Sequence, residues 1–376
     1  METAMMIEPA FWSDGSVWIG HSDHTEEGGS LAEFALHELK AKDWCFFQTS
    51  GSEGKRKWVG LTKESLLVSA RAVNRHFDIN ERDHWLLALP IHHVGGFGVL
   101  TRAFAGGNQV TRLEGKWLAA AFVQRCVDVG ATLTSLVPTQ VFDLAAAQLR
   151  APQSLRVVLV GGGAMSSEVE QAAKRLGWPV RRTYGMTETA SQIASQTLED
   201  GGEMEVLPIW DLRINDEGVL TVRGEALAKG YASEEAGKWH WQPISTKLGL
   251  RTRDRVELWT HGTRRLLRFT GREAGTVKIL GELVSLGAIQ VRIEAQMLQM
   301  GLHECEAVVC DVPDARKEAR LVLAVSGMSP TIAKNLLASL NQELRTLEQL
   351  EQIMAVPMIP RSELGKVRLA ELRTML

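Results

Sequence analysis

The stretch from Leu155 to Thr183 constrains the fold more than any other part of the chain. Leu155–Val160 (LRVVLV) is a short, almost continuously apolar run, and it passes directly into Gly161-Gly162-Gly163. A run of strand length that is apolar at nearly every position suits a strand buried on both faces of a parallel sheet. After the glycines, Ser166–Leu176 has the pattern of a helix, with Ser167 and Glu170 at the spacing of a capping box. Strand character resumes over Pro179–Thr183. Strand, helix and strand in this order predict a parallel sheet with crossover helices. Trp85–Pro90 and Thr132–Val137, the latter ending at Pro138, are further buried-strand candidates.

The texture changes near Leu212. Leu212–Ile214, a turn at Asn215-Asp216-Glu217-Gly218, and Val219–Val222 read as a hairpin, with Arg255–Trp259 and Leu266–Phe269 as later strands. A smaller β-rich subdomain over about 205–271 is therefore expected. Beyond Gly271, Thr276–Leu280, Ala307–Cys310 and Leu321–Val325 are short strands, and Ser329–Glu351 is a long amphipathic helical stretch. These predict a compact α+β unit. The division expected is an N-terminal domain over 1–272 and a C-terminal domain over 273–376, with the glycines of Gly271–Gly275 suiting a hinge.

Bulk properties remove several function classes. With 376 residues, 45% of them hydrophobic and 23% charged, the chain has soluble globular composition and room for two or three domain-sized units. A net charge of -3 provides no global basic field for nucleic acid. Lys55-Arg56-Lys57 and Arg264-Arg265 are local clusters, read as solvated wherever no phosphate motif adjoins. No apolar run reaches the ~18 residues of a membrane span. Met1–Trp12 carries two acids and no basic start, unlike a secretory signal. Cys45, Cys126, Cys305 and Cys310 form no Cys-x-x-Cys pair, so reduced structural thiols and a cytoplasmic location are expected.

Four local patterns carry chemistry. Thr49-Ser50-Gly51-Ser52-Glu53-Gly54-Lys55-Arg56-Lys57 follows the strand candidate Trp44–Gln48. Its glycines admit close approach to phosphate oxygens, its hydroxyls and amides can donate to them, and its lysines add charge. It is not a Walker A loop, and taken alone it reads more readily as a hairpin or surface turn. Tyr184-Gly185-Met186-Thr187-Glu188-Thr189 lies just after a strand, where open α/β sheets place ligands. Thr187 can donate to a phosphate, Glu188 can ligate Mg²⁺ and Tyr184 offers an aromatic face, although a Thr-Glu pair by itself is usually a helix cap. Asp254, in Thr252-Arg253-Asp254, can accept both hydroxyls of a ribose diol. His92 and His93 are adjacent, and neighbours on one strand point to opposite faces, so metal binding by the pair is a poor reading.

In this order, together with Gly271-Arg272, Gly281-Glu282 and Gly365-Lys366, these motifs resemble the adenylate-forming superfamily of acyl-CoA synthetases, adenylation domains and luciferases. The resemblance runs from about Phe46 to the C-terminus. It implies an α/β fold with a large N-terminal domain and a small mobile α+β lid. It also implies ATP, Mg²⁺ and coenzyme A as cofactor and co-substrates of a carboxylic acid. Thr49, Ser50, Gly51, Ser52, Gly54, Lys55 and Lys57 would then hold phosphates, with Tyr184 and Gly185 at the adenine. Thr187 would meet the α-phosphate, Glu188 the metal, and Asp254 and Arg272 the ribose. Lys366 would bridge the attacking carboxylate and the phosphates, and Lys278–Glu282, with Lys278 and Gly281, would turn inward for thioester formation after rotation about Glu273-Ala274. Departures from the family pattern are Glu53 for Thr, Arg56 for Pro and Ala274 for the usual Asp or Lys.

Pro90–Gly96, Val137–Gln140, Gly161–Ala164 and Tyr184–Gln192 narrow the resemblance to o-succinylbenzoate–CoA ligases of menaquinone biosynthesis. His93, Gly95, Gly162, Gly163, Ala164 and Ser191 would line the acyl pocket. Another acyl- or aryl-CoA ligase, or a nucleotide-binding homologue without chemistry, are the alternatives. Only 48 residues precede Thr49, fewer than the family's usual N-terminal portion, so a trimmed unit or a homodimer covering a sheet edge is expected.

Overall fold

The computed structural model describes residues 8–20, 26–50, 56–198, 203–272, 276–314, 316–362 and 365–376. Five parallel strands run side by side in the order Gln109–Arg112, His84–Leu87, Leu133–Leu136, Val157–Val160 and Val180–Tyr184. Leu133–Leu136 and Val157–Val160 are buried at every position, which is why they read as unbroken apolar runs rather than alternating ones. One face, with Leu87, Leu133 and Leu159, packs on the helices Lys63–His76 and Val94–Gly106 through Leu66, Val73, Phe97 and Val99. The other, with Leu86, Leu136 and Val158, packs on Ala119–Val129, Pro138–Ala146 and Ser167–Arg175.

The sheet continues beyond Val180–Tyr184. Ala194–Ser195 pairs antiparallel with that strand, and antiparallel strands carry the sheet on to an edge at Trp210–Ile214, eleven strands in all among the described residues. The four strands expected over 212–269 all join the large sheet, while two further strands in that region join another. Leu250–His261 and Arg264–Arg272 extend the large one, while Gly230–Glu235 and Lys238–Pro243 join Trp18–Gly20, Trp44–Ser50 and Arg56–Thr62 in a five-stranded sheet. Buried Lys63 ties the N-terminal segment to this region through Asp14 (2.8 Å), Ser16 (3.0 Å) and the Phe11 carbonyl. That ammonium, with Ser16, holds the Asp14 carboxyl at about 2.

From Thr276 the chain builds its own core. A hairpin of Thr276–Ile279 and Glu282–Ser285 leads into the helix Leu286–Gln299, followed by a three-stranded sheet of Glu306–Asp314, Glu318–Ser326 and Leu350–Ala355. Ile289, Ile293, Leu321, Leu323, Leu336 and Leu340 fill the space between helices and sheet.

Three local expectations need correction. The cap of the helix Ser167–Arg175 is Ser166, whose Oγ accepts from the Val169 amide at 3.1 Å, while Glu170 pairs with Lys174 (3.0 Å) and Arg182 (2.9 Å) instead of closing a box with Ser167. The long helix expected over Ser329–Glu351 is Pro330–Glu343, then a tight turn at Thr346–Glu348, then the strand Leu350–Ala355. Leu340, Leu344, Leu347 and Leu350 keep a helical spacing through all three, so periodicity alone could not mark the change. His92 and His93 lie in the turn before Val94–Gly106 rather than on a strand, with ring centroids 4.4 Å apart.

Candidate active site

Tyr184 ends the last parallel strand, at the point where the sheet changes from parallel to antiparallel, and the chain then turns back on itself. Gly185 is required there by proximity: a Cβ would collide with the Ser191 carbonyl. Thr187–Thr189 forms a single 3₁₀ turn. Thr189 is fully buried, its hydroxyl accepting from the Met186 amide at 3.1 Å, and Ser69 donates to the Ala190 carbonyl at 3.0 Å. Ala190 (φ 50°) and Ser191 (φ 97°) both sit in the left-handed region, where a side chain costs energy and is kept only if the surroundings enforce it.

Tyr184, Asp254 and Arg272 form one unit across three strands. The Tyr184 hydroxyl donates to Asp254 Oδ2 at 2.8 Å. Arg272 Nη2 donates to the same oxygen at 3.2 Å, and its Nε donates to Oδ1. The two later strands bring Asp254 directly opposite Arg272 in register. Asp254 is 1% exposed, so a forked guanidinium partner is what permits its charge at that depth. The Tyr184 ring lies against Phe269, centroids 5.7 Å apart, and burial beside Asp254 raises its pKa.

Glu188 Oε1 accepts from the Tyr231 hydroxyl at 3.1 Å, and the Glu188 carbonyl accepts from the Ala228 amide at 2.8 Å. The side chain thus points one oxygen at a fixed donor and keeps acceptor capacity on the other. Among the described residues no group of three or more His, Cys, Asp and Glu is arranged to hold a metal. A single carboxylate fits Mg²⁺, which is usually held by one or two carboxylates plus phosphates and waters.

The phosphate-loop motif joins two antiparallel strands, Trp44–Ser50 and Arg56–Thr62, with Ser50 opposite Arg56. Thr49 Oγ1 donates to the Lys57 carbonyl at 3.4 Å, and the Lys57 ammonium lies 5.8 Å from the centre of the Tyr231 ring. Gly51, Ser52, Glu53, Gly54 and Lys55, like Glu273 and Ala274, lie outside the described residues.

His93 caps the helix Val94–Gly106 by position. Burial, His92 and Lys366 push its pKa down to about 4, leaving a neutral imidazole near pH 7. Gly162 (φ +83°) and Gly163 form an exposed turn over Val137 and Pro138, and Ala164 follows them at the surface. Gly95 faces Leu89.

The C-terminal unit meets the parallel-sheet part at Gly365-Lys366. Gly365 (φ +71°) sits so close to Thr139 that an added Cβ would lie 2.7 Å from its Oγ1. Arg361 donates to the Gly365 carbonyl at 2.7 Å and pairs with Glu306 at 2.6 Å. Burial and the nearby Arg272 charge lower the Lys366 pKa, and Lys366 lies near enough to His93 to lower its pKa too. The hairpin bearing Lys278 and Gly281 is held within the C-terminal unit: Lys278 pairs with Glu318 at 3.2 Å, and Glu318 also accepts from the Gly281 amide at 2.9 Å.

Arg102 was not foreseen. It is 2% exposed and lies on Val94–Gly106, where it is the sole charged residue. Its Nη2 donates to Ser135 at 3.1 Å, its guanidinium stacks 5.0 Å from the Trp85 ring centre, and its Nε has no hydrogen-bond partner among the described residues. An added Cβ on Gly98 would lie 3.1 Å from Nη1, so the cation folds back one turn towards the His93 end of the helix. Burial pulls its pKa down to about 9. One charge inside an otherwise apolar helix was the signal available in the sequence.

This architecture is that of adenylate-forming enzymes. The chain belongs to the AMP-binding enzyme family, which it matches over residues 12–232. It is 34% identical over 204 residues to a 2-succinylbenzoate–CoA ligase of Bacillus licheniformis, a match covering 50% of this chain and 42% of the relative. A second such ligase, from Bacillus cereus, is 34% identical over 217 residues, covering 54% of this chain and 44% of the relative. The matches thus span less than half the length of these curated relatives. The fold also matches o-succinylbenzoate CoA synthetase (MenE) from Bacillus subtilis in complex with the acyl-adenylate intermediate OSB-AMP. That likeness has a TM-score of 0.69 at 24% identity, over 88% of this chain and 68% of the other. ATP-bound MatB from Rhodopseudomonas palustris gives 0.69 at 20% identity, over 88% and 67%.

Proposed function

We propose that the protein activates a carboxylic acid with ATP and passes the acyl group to coenzyme A, with 2-succinylbenzoate as the preferred acid. The resemblance puts that reaction in menaquinone biosynthesis. The observation that carries the reading is the Tyr184–Asp254–Arg272 unit just ahead of Glu188, with Lys366 brought near Arg272 where Gly365 approaches Thr139. In the first half-reaction a carboxylate oxygen attacks the α-phosphorus, the α–β phosphoanhydride bond breaks, and pyrophosphate leaves. Lys366 and Thr187 stabilise the charge gathering on the α-phosphoryl group. Asp254 and Arg272 orient the ribose, Tyr184 borders the adenine, and the loop at Thr49–Lys57 takes the departing phosphates. Glu188 would hold Mg²⁺, whose charge offsets that of the phosphates. In the second half-reaction the C-terminal unit turns, Lys366 withdraws, and Lys278–Glu282 face the site. The coenzyme A sulfur then attacks the acyl carbon, the bond to AMP breaks, and thioester and AMP are released.

For the diacid preference we infer a role for Arg102: among the described residues its guanidinium has no carboxylate partner, and a second carboxylate on the substrate would supply one. His93, neutral by its depressed pKa, adds no competing charge at the pocket mouth. Incubation with ATP, Mg²⁺, 2-succinylbenzoate and coenzyme A should give succinylbenzoyl-CoA, AMP and pyrophosphate by mass spectrometry, with no thioester when any component is omitted. Arg102→Met should raise KM for 2-succinylbenzoate about tenfold or more while leaving KM for plain benzoate unchanged. Product from other acids only would overturn the substrate reading, and no product from any acid despite ATP binding would favour a non-catalytic nucleotide binder.

A further inference from the structure

Glu188 is held by a residue that the sequence motifs do not include. Tyr231 lies on the strand Gly230–Glu235, which pairs antiparallel with Arg56–Thr62, the strand returning from the phosphate loop, with Tyr231 opposite Val59. Two backbone bonds fasten the same junction: the Ala228 amide donates to the Glu188 carbonyl at 2.8 Å, and the Lys229 amide donates to the Gly60 carbonyl at 2.8 Å. The loop's return strand, the segment 228–231 and Glu188 are therefore one framework. Within it the Tyr231 hydroxyl meets Glu188 Oε1 at 3.1 Å, and Lys57 sits 5.8 Å from the ring centre.

We propose that Tyr231 is a positioning residue for the metal-holding carboxylate, occupying one oxygen of Glu188 so that the other is presented to a phosphate-bound divalent cation. The inference rests on the reading of Glu188 given above. A glutamate has three side-chain rotors, and one carboxylate supplying a single ligand holds a cation well only if it is fixed beforehand. Tyr231 supplies that fixing from a strand paired with Arg56–Thr62. Lys57 lies over the same ring, 5.8 Å from its centre.

The test is Mn²⁺ binding to the full-length protein with a non-hydrolysable ATP analogue, read by electron paramagnetic resonance, beside metal-free AMP binding by calorimetry. Tyr231→Phe keeps the ring and should weaken Mn²⁺ binding about tenfold with AMP affinity unchanged. Glu188→Gln should weaken it at least as much, and the double variant should be no weaker than Glu188→Gln alone. Wild-type Mn²⁺ affinity in Tyr231→Phe, alongside a loss in Glu188→Gln, would overturn the positioning role and leave the metal reading intact. Unchanged affinity in Glu188→Gln would overturn both. Joint loss of Mn²⁺ and AMP binding in Tyr231→Phe would make Tyr231 merely structural.

Discussion

The Tyr184–Ser191 segment and the Gly365-Lys366 turn are assigned to the same phosphoryl group, yet they are held in opposite ways. The first is fastened from every side: Tyr184 to buried Asp254, Glu188 to Tyr231, Thr189 to Met186, and the Ala190 carbonyl to Ser69. Its backbone passes through two left-handed non-glycine residues that only such fastening can maintain. The second is a small turn closed mostly on itself, with the Lys366 amide bonded to Ser362 at 3.2 Å and the Gly365 amide to the Ser362 carbonyl at 2.8 Å. It also approaches Thr139 closely. A site that must bind nucleotide throughout but expose its acyl group to a second reagent needs both kinds of attachment. On the function proposed above, the fixed segment would preserve geometry and the loosely seated lysine would leave.

The comparison breaks most visibly at Lys366. Lys366→Ala should slow pyrophosphate release about 10²- to 10³-fold, because a charge aimed at the transition state is removed. Its unfolding midpoint should stay near that of the parent, since nothing buried depends on it. Asp254→Ala should behave in the opposite manner. It strips the Tyr184 hydroxyl and Arg272 of their common acceptor, and denaturant titration should show a loss of about 2–3 kcal/mol together with weaker AMP binding. The smallest effect is in the pH profile. Lys366 has a depressed pKa, so the protonated form is present at lower pH and is lost, as pH rises, earlier than for a free lysine. Pyrophosphate release measured from about pH 5 to 10 should therefore fall early on the alkaline side. His93, already neutral above about 4, should add no limb near pH 6.5.

Much of this was legible in the sequence. The buried parallel strands show as unbroken apolar runs, and the ligand-bearing ends show as glycine turns and the Tyr184–Thr189 motif. The residues that complete the site were harder to read, because their partners are distant in sequence. Tyr231 meets Glu188 only through strand pairing. Arg102 resembles any helix-surface arginine until its burial against Trp85 and Ser135 is seen. The end of the helix Pro330–Glu343 was misjudged because leucine spacing carries on into a strand. The eleven-stranded sheet was likewise hidden, since local strand signals do not say which strands pair.

The most direct test separates the two half-reactions in Lys366→Ala. Supplied with preformed succinylbenzoyl-adenylate and coenzyme A, this variant should form thioester at close to the parent rate, while failing to make the adenylate from ATP and still binding ATP. Equal loss of both half-reactions, or pyrophosphate release at the parent rate, would contradict a fixed site served by a departing lysine.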